Sequence, residues 1–316
     1  MLSLTVSTPL SLYIHFPWCI QKCPYCDFNS HALKDQLPEA RYINALLDDL
    51  AEDIAQFQET RPIQSIFMGG GTPSLFSAEQ IQRLLLGIQA QLPFAEEIEI
   101  TLEANPGTFE SQKFVDFRAT GINRLSIGIQ SFNDAHLKRL GRVHSAQEAI
   151  RAVEIAHHAG FERLNLDLMF GLPDSAEQDS LNDVQQAIDL QPSHLSFYQL
   201  TLEPNTYFHK YPPVLPGDDA IVKAQLACQT RLAKHGYQQY EISAYAQAKQ
   251  QCQHNINYWS FDDYLGIGAG AHGKITQGLP DNIVRTVKAK QPEQYLRQHK
   301  DDRLSQLIDV NDLPLE

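Results

Sequence analysis

Three closely spaced cysteines are the part of this sequence best suited to chemistry. Cys19, Cys23 and Cys26 lie within eight residues, at spacings of four and three. On a helix those spacings would place all three thiols on one face. Pro24, however, pushes the preceding residue out of the helical region, and Pro17 prevents a helix from starting upstream. The pattern therefore predicts a loop that wraps around a metal centre.

The residues around this loop leave two kinds of metal centre open. A zinc ion normally takes a fourth ligand, which His15 or His31 could supply. A 4Fe-4S cluster held by three cysteines would leave one iron open to an exogenous ligand. The aromatic neighbours Trp18, Tyr25 and Phe28 would shield such a cluster from water and oxygen.

Glycine and polar residues also follow several predicted strands. Proteins with parallel strands bind ligands at the carboxyl ends of those strands, and glycines there let the backbone approach a ligand closely. The residues concerned are Gly70, Gly71 and Thr72 after the second strand, Glu103 and Gln130 at the ends of the third and fourth, and Asp167 in the fifth. Each one alone is more typical of a polar residue whose hydrogen bonds are made within the protein. Together, at one end of a sheet, they predict a ligand site.

The elements that must position these residues alternate through the first two-thirds of the chain. Strands are predicted at 10–16, 64–68, 97–103, 123–129, 163–169 and 194–201, with helices at about 38–57, 77–90, 110–119, 145–159 and 176–190. Strict alternation implies parallel strands with right-handed crossovers. Six strands are fewer than a closed eight-stranded barrel needs. We therefore predict an α/β fold with a partial (β/α)6 barrel, and a doubly wound sheet as the second choice.

The pattern changes after residue 204, which suggests three parts. Residues 1–204 would form the barrel. Residues 205–280 would form an extension with a helix near 218–235, a histidine- and aromatic-containing segment at 254–259 and a glycine-rich stretch at 265–273. Residues 281–316 are polar and weakly patterned, and we expect no core of their own there.

Composition excludes several classes of protein. The 316 residues include 25 Lys and Arg against 38 Asp and Glu, a net charge of −13, so no basic stripe is available for nucleic acid. No apolar run reaches the roughly 18 residues of a membrane span, which leaves only peripheral membrane contact open. The amino terminus lacks the features of a secretory signal, so we predict a cytoplasmic protein with reduced thiols. The isolated Cys228 and Cys252 are expected to be buried small hydrophobes.

The cysteine loop resembles the signature of the radical S-adenosylmethionine (SAM) superfamily. The shared features are the spacing C-x-x-x-C-x-x-C after a first strand and the aromatic Tyr25 just before Cys26. The resemblance implies a 4Fe-4S cluster whose open iron chelates the amino and carboxylate groups of SAM, and from which reduction can release a 5′-deoxyadenosyl radical. It also implies that the glycines after the second strand contact the methionine amino group. Carboxylates and amides at the other strand ends would suit a sulfonium cation and ribose hydroxyls.

Residue by residue, the chain resembles the subgroup that contains oxygen-independent coproporphyrinogen III oxidase. The matching positions, which the resemblance places around the cluster and SAM, are Tyr13, Cys19, Cys23, Cys26, Gly70, Gly71, Thr72, Glu103, Gln130, Arg142 and Asp167. Of these, Arg142 has the weakest case of its own, because it could be an ordinary solvated charge at a helix end.

Two features are more similar to the haem chaperones of this subgroup than to its oxidases. The oxidases carry a fourth cysteine two residues after the third, where this chain has Phe28. The segment from His254 through Tyr258 to Trp259 has the H-N-x-x-Y-W pattern that the chaperones associate with haem binding, and His272 also matches them. Histidine is the commonest protein ligand of haem iron, and the aromatic rings offer flat apolar surface to the macrocycle.

The resemblance thus implies reversible haem binding and delivery of haem to acceptors such as respiratory enzymes. The alternative is a coproporphyrinogen oxidase that starts by abstracting hydrogen from a propionate side chain. A zinc-stabilised binding module would need only the cysteines and would leave the polar strand ends unexplained. Family members continue for about sixty or more residues into a helical C-terminal domain, so we expect this chain, which stops at Glu316, to lack that domain.

Overall fold

A computed structural model of the chain describes residues 8–108, 111–277, 282–297 and 304–309. It has an α/β fold in which β-type apolar runs alternate with amphipathic helices. The strands are β1 Leu10–Phe16, β2 Trp18–Cys19, β3 His31–Ala32, β4 Ile63–Gly70, β5 Phe94–Ala104, β6 Arg124–Gln130, β7 Arg163–Phe170, β8 His194–Gln199, β9 Gln238–Gln239, β10 Ala244–Ala246, β11 Asp263–Ile267, β12 His272–Gln277, β13 Asn282–Lys288 and β14 Leu304–Asp309.

Helices lie between many of these strands along the chain. They are α1 Glu39–Phe57, α2 Ala78–Gln89, α3 Ser111–Ala119, α4 Asp134–Arg139, α5 Ala146–His158, α6 Glu177–Asp189, α7 Tyr207–Lys210, α8 Asp218–Lys234, α9 Gln253–Trp259 and α10 Pro292–Arg297. None of the helices that the structure describes is long and apolar enough to cross a membrane.

The main sheet has the topology of an open barrel. Strands β1, β4, β5, β6, β7 and β8 lie side by side in chain order, and each pairs in parallel with the next. A doubly wound sheet would reverse its strand order at a switch point. No reversal occurs among these six, so the prediction of a partial (β/α)6 barrel is confirmed.

The chain returns to the first barrel strand after α9. Strand β11 pairs in parallel with β1, and β12, β13 and β14 continue the same sheet in antiparallel order. We expected weak patterning after residue 281, whereas residues 282–288 form a regular strand and Tyr295 is buried in the common core. The predicted boundary at residue 280 falls between β12 and β13, and the three-part division remains a prediction.

Side chains alternate in direction along the barrel strands, which separates an apolar outer face from a polar interior. In β1, Leu12 and Ile14 are part of the apolar core, whereas Ser11, which precedes Leu12 and points the other way, hydrogen-bonds Ser65 on the adjacent strand β4, with 2.8 Å between the hydroxyl oxygens. Because side chains alternate with a period of two, each parallel strand presents its polar residues to the inside of the barrel. On the neighbouring strands the same alternation places carboxylate side chains in that interior.

Candidate functional site

The three cysteines lie on a loop, as predicted. Cys19 ends β2, while Cys23 and Cys26 lie in the turn that follows, where the Cys26 amide donates to the Cys23 carbonyl over 3.1 Å. The loop is held to the barrel because the His31 amide donates to the Pro17 carbonyl over 2.7 Å. All three thiols are partly exposed and line a cavity of about 120 Å³ at the carboxyl ends of the barrel strands.

The two histidines considered as zinc ligands do not line this cavity. Both ring nitrogens of His15 are engaged, Nδ1 with the Tyr13 hydroxyl and Nε2 with the Asn29 carbonyl, each over 2.9 Å. Among the residues that the structure describes, no three His, Cys, Asp or Glu side chains converge as one metal ion would require. A 4Fe-4S cluster has a different requirement, because each of its cysteines binds a different iron atom.

The glycine turn after β4 packs directly against the cysteine loop. Gly70 has a φ of +102°, and a Cβ atom there would lie 2.3 Å from the ring of His15. At Gly71 a Cβ atom would lie 2.6 Å from the carbonyl oxygens of Phe16 and Trp18. Only glycine fits these two positions, so any side chain would displace the backbone that supports the cysteines.

Two carboxylates form the acidic part of the site. Glu103 accepts a hydrogen bond from the Gly70 amide over 3.1 Å, and burial, together with the nearby Asp167, raises the pKa of Glu103 to about 8. Burial also raises the pKa of Asp167, although Asn165 donates to its carboxylate over 2.8 Å. The two carboxylates repel each other when both are ionised. The site therefore favours a cationic ligand, whose charge would stabilise both in the ionised form.

Gln130 is turned into the site by a backbone irregularity. The register between β6 and β7 shifts between Gly128 and Gln130, and Gln130 has a φ of 71°, in the left-handed region that non-glycine residues rarely adopt. The Tyr198 hydroxyl, at the end of β8, donates to the Gln130 side-chain oxygen over 2.7 Å. Sequence reasoning missed Tyr198, although its place near a strand end was the signal that identified the other residues.

Arg142 lies beside the cysteine loop and is not a solvated charge. Its Nη2 donates to the Asn105 side chain and to the Gly128 carbonyl, each over 2.7 Å, and its Nη1 lies 3.6 Å from the Cys23 sulfur. Asn105 in turn donates to the Thr72 hydroxyl over 2.8 Å. These bonds link the cysteine loop to the ends of three barrel strands.

A larger cavity of about 720 Å³ adjoins the cysteine cavity and shares Phe28, Gly70 and Glu103 with it. His254 lies on its wall, stacked on Phe67 with 4.9 Å between ring centroids and on Tyr13 with 6.1 Å. Burial, aided by the charge of Arg124, lowers the pKa of His254 to about 4, and its Nδ1 has no hydrogen-bond partner. The imidazole is therefore neutral, the form that binds metals.

The remaining predicted residues divide between the cavities and the surface. Tyr25 lines the cysteine cavity, whereas Tyr258 and His272 line the larger one. Trp259 lines neither; it is 53% exposed, 6.2 Å from the Tyr258 ring. Cys228 and Cys252 are buried, as expected. The larger cavity also contains residues that sequence reasoning did not assign to a site: Lys22 and Asn29, which lie within or just after the cysteine motif, and Tyr264, Arg285 and Lys290, which no motif marks.

Comparisons with known proteins agree with this geometry. The model of the radical SAM superfamily matches residues 13–186. The protein named heme chaperone HemW from Escherichia coli K12 is 53% identical over 314 residues, which cover 98% of this chain and 81% of that protein. Heme chaperone HemW from Haemophilus influenzae is 56% identical over 292 residues, or 92% and 76% of the two chains.

Among solved structures, E. coli coproporphyrinogen III oxidase (HemN), described as a radical SAM enzyme, superimposes with a TM-score of 0.82. The alignment covers 96% of this chain and 72% of the oxidase at 24% identity, which is a likeness of fold.

The chain is therefore a member of the radical SAM superfamily, and membership implies a 4Fe-4S cluster and SAM. Within that superfamily it belongs to the family of proteins named HemW. Both steps of the resemblance seen in the sequence are thereby confirmed.

Proposed function

We propose that this chain is a haem chaperone. It binds a 4Fe-4S cluster, SAM and haem, and passes the haem to acceptor proteins such as respiratory enzymes. The observation that carries the proposal is a wide cavity that adjoins the cysteine site and contains the neutral imidazole of His254, whose Nδ1 has no hydrogen-bond partner. The names of relatives more than half identical over nearly the whole chain support it.

The residues at the cysteine cavity suit the cluster and SAM. Cys19, Cys23 and Cys26 would hold three irons, and the fourth iron would supply an open coordination position for SAM. Around it, Glu103 and Asp167 provide negative charge for the amino group and the sulfonium. Gly70, Gly71, Gln130 and Tyr25, which line the same cavity, would complete the binding site. Thr72 and Arg142, beside a smaller cavity that Cys19 also lines, and Tyr13, on the wall of the larger cavity, would support it from behind.

The larger cavity suits a flat, mostly apolar ligand that contains a metal. Its volume lies within the range of roughly 300–1,000 Å³ typical of small-molecule sites. His254 would be the iron ligand. Its ring is held in one orientation in the cavity wall by stacking on Phe67 and Tyr13. Tyr258 offers aromatic surface at the same wall, and His272 is a second imidazole in the cavity.

The oxidase alternative is favoured only by the shared fold. In this chain Phe28 occupies the position of the fourth cysteine and lines both cavities. Anaerobic incubation with coproporphyrinogen III, SAM and a reductant separates the two functions. A chaperone leaves the substrate unchanged, whereas a decarboxylated porphyrin product would establish the oxidase.

We predict that His254→Ala weakens haem binding by about tenfold or more, because loss of even an outer-shell partner of a metal ligand costs roughly 10- to 100-fold. The measurement is a haem titration of anaerobically purified protein, followed by Soret absorbance, after iron analysis has shown about four irons per chain. His158→Ala, an exposed histidine on α5, is the matched control. Equal haem affinity of the two variants would remove His254 as the ligand, and zinc in place of iron would refute the cluster.

A further inference from the structure

Three positively charged side chains line the larger cavity. They are Lys22 from the cysteine loop, Arg285 from β13 and Lys290 just after β13; we call them the cationic rim. Their concentration is unexpected in a chain with a net charge of −13. Over the whole chain acidic residues outnumber basic ones by 38 to 25, whereas the lining of this cavity contains three basic side chains and two acidic ones.

The cationic rim is not used to neutralise the protein's own carboxylates. Within the described ranges, none of its three members forms an ion pair. Lys22 donates to the Phe28 carbonyl over 3.0 Å, and the Arg285 guanidinium lies 5.9 Å from the ring centroid of Phe261. The acidic residues of the same cavity are Asp27 and Glu103. The positive charge is therefore left for a ligand.

The position of Arg285 relative to His254 follows from the sheet. His254 stacks on Tyr13 of β1 and on Phe67 of β4, whereas Arg285 belongs to β13. The sheet order β13-β12-β11-β1 separates β13 from β1 by three strand spacings of about 4.8 Å, or about 14 Å. Tyr264 of β11 and His272 of β12 line the cavity between them. A ligand whose metal lies at His254 would thus extend its periphery toward Arg285.

We propose that the cationic rim, principally Arg285 and Lys290, binds the carboxylate side chains of a tetrapyrrole. This inference rests on the proposed function and specifies the ligand further, as a macrocycle with carboxylates along one edge. Arg285 and Lys290 would pair with the carboxylates while His254 binds the metal at the centre. The two contacts together would fix which edge of the macrocycle enters the cavity first, with its carboxylates toward β13.

The test compares iron protoporphyrin IX with its dimethyl ester, which has the same ring and metal but no ionisable carboxylates. We expect the unmodified chain, purified anaerobically, to bind the ester about tenfold more weakly than the free acid, a difference of about 1.4 kcal/mol. The double variant Arg285→Gln/Lys290→Gln should lose about tenfold in affinity for the free acid and bind both ligands equally. The matched control is Lys138→Gln/Arg151→Gln, which removes the same charge from exposed positions on α4 and α5.

The outcomes separate this inference from the proposed function. If the unmodified chain binds acid and ester equally and the double variant is unaffected, the cationic rim has no role in recognition, although haem binding stands. An equal loss in the control variant would attribute the effect to net charge and would also overturn the assignment. If the unmodified chain binds neither ligand, the proposed function fails, and this inference fails with it.

Discussion

At the scale of single residues, the site keeps ionisable groups in an environment that destabilises their charged forms. Glu103 illustrates this, because burial is the largest cause of its raised pKa and the neighbouring Asp167 adds to it. Before a cation binds, the folded chain carries this unfavourable charge. A site of this kind gives up stability in exchange for affinity toward a positively charged ligand.

We predict that Glu103→Gln stabilises the ligand-free protein and weakens SAM binding. The unfolded chain releases the Glu103 proton near its ordinary pKa, whereas the folded chain holds it to about 8. The unmodified protein therefore loses stability as the pH rises from about 4.5 to 8, and the glutamine variant does not. Thermal unfolding should show the variant more stable by about 4 kcal/mol at pH 8 and nearly equal to the unmodified protein at pH 4.5.

Glu97→Gln is the control for this experiment, because Glu97 lies on the same strand but is exposed. It should change neither stability nor SAM affinity. Calorimetric titration with SAM measures the second half of the prediction. A glutamine variant that is less stable at pH 8, or that binds SAM unchanged, would show that Glu103 is a structural residue.

At the scale of elements, helix α9 is fixed to the barrel by a buried carboxylate. Glu99 of β5 is fully buried and accepts a hydrogen bond from the Gln253 amide over 2.9 Å, while the Cys252 thiol lies 3.5 Å away. Arg163 of β7 pairs with the second carboxylate oxygen over 2.8 Å. Because α9 has only seven residues, such tertiary contacts rather than helix propensity must hold His254 in place.

We predict that Glu99→Ala destabilises the protein by about 3 kcal/mol and also weakens haem binding. The value is at the lower end of the range for a broken buried ion pair, because Arg163 is partly exposed. Urea unfolding measures the first effect, and in a Trp18→Phe background, which removes the other tryptophan of the chain, Trp259 fluorescence reports on the position of α9. Glu97→Ala should be neutral in both. An unchanged Trp259 spectrum with normal haem affinity would show that α9 does not depend on Glu99.

The barrel elements were predictable because local signals mark their ends. Helix α5, for example, begins after a capping box in which Ser145 and Glu148 hydrogen-bond each other's backbone amides. The strands after α9 were not predictable, since buried charges interrupt their apolar pattern. Lys274 of β12 is 3% exposed and its amine pairs with Asp263 over 3.0 Å, a contact that no local pattern announces. The cysteine site could be located from the sequence because local motifs mark it. Arg285 and Lys290 belong to no such motif, so only the three-dimensional structure shows that they line the cavity.

At the scale of the whole molecule, early and late parts of the chain are joined by a buried charge cluster. The Lys288 amine of β13 pairs with Asp49 over 2.7 Å and with Asp53 over 2.6 Å, both on α1. Asp49 also accepts from the Gly268 amide over 3.1 Å and from the Tyr295 hydroxyl over 2.6 Å. The cluster thus attaches the strands that form one wall of the larger cavity to the first helix of the barrel.

We predict that Lys288→Met destabilises the protein by roughly 3–5 kcal/mol at pH 8, because it leaves two buried carboxylates without a counter-charge. Burial already raises the pKa of Asp53 to about 7 while Lys288 opposes the shift, so removing the amine raises it further. The folded variant then holds a proton that the unfolded chain releases, and its stability must recover as the pH falls. Urea unfolding at pH 8 and pH 5.5 should show the loss roughly halved at the lower pH, whereas Lys138→Met, an exposed lysine, should show no loss at either. A loss of equal size at both pH values would mean that Lys288 acts through packing, and the charge cluster would not be what holds β13 to the barrel.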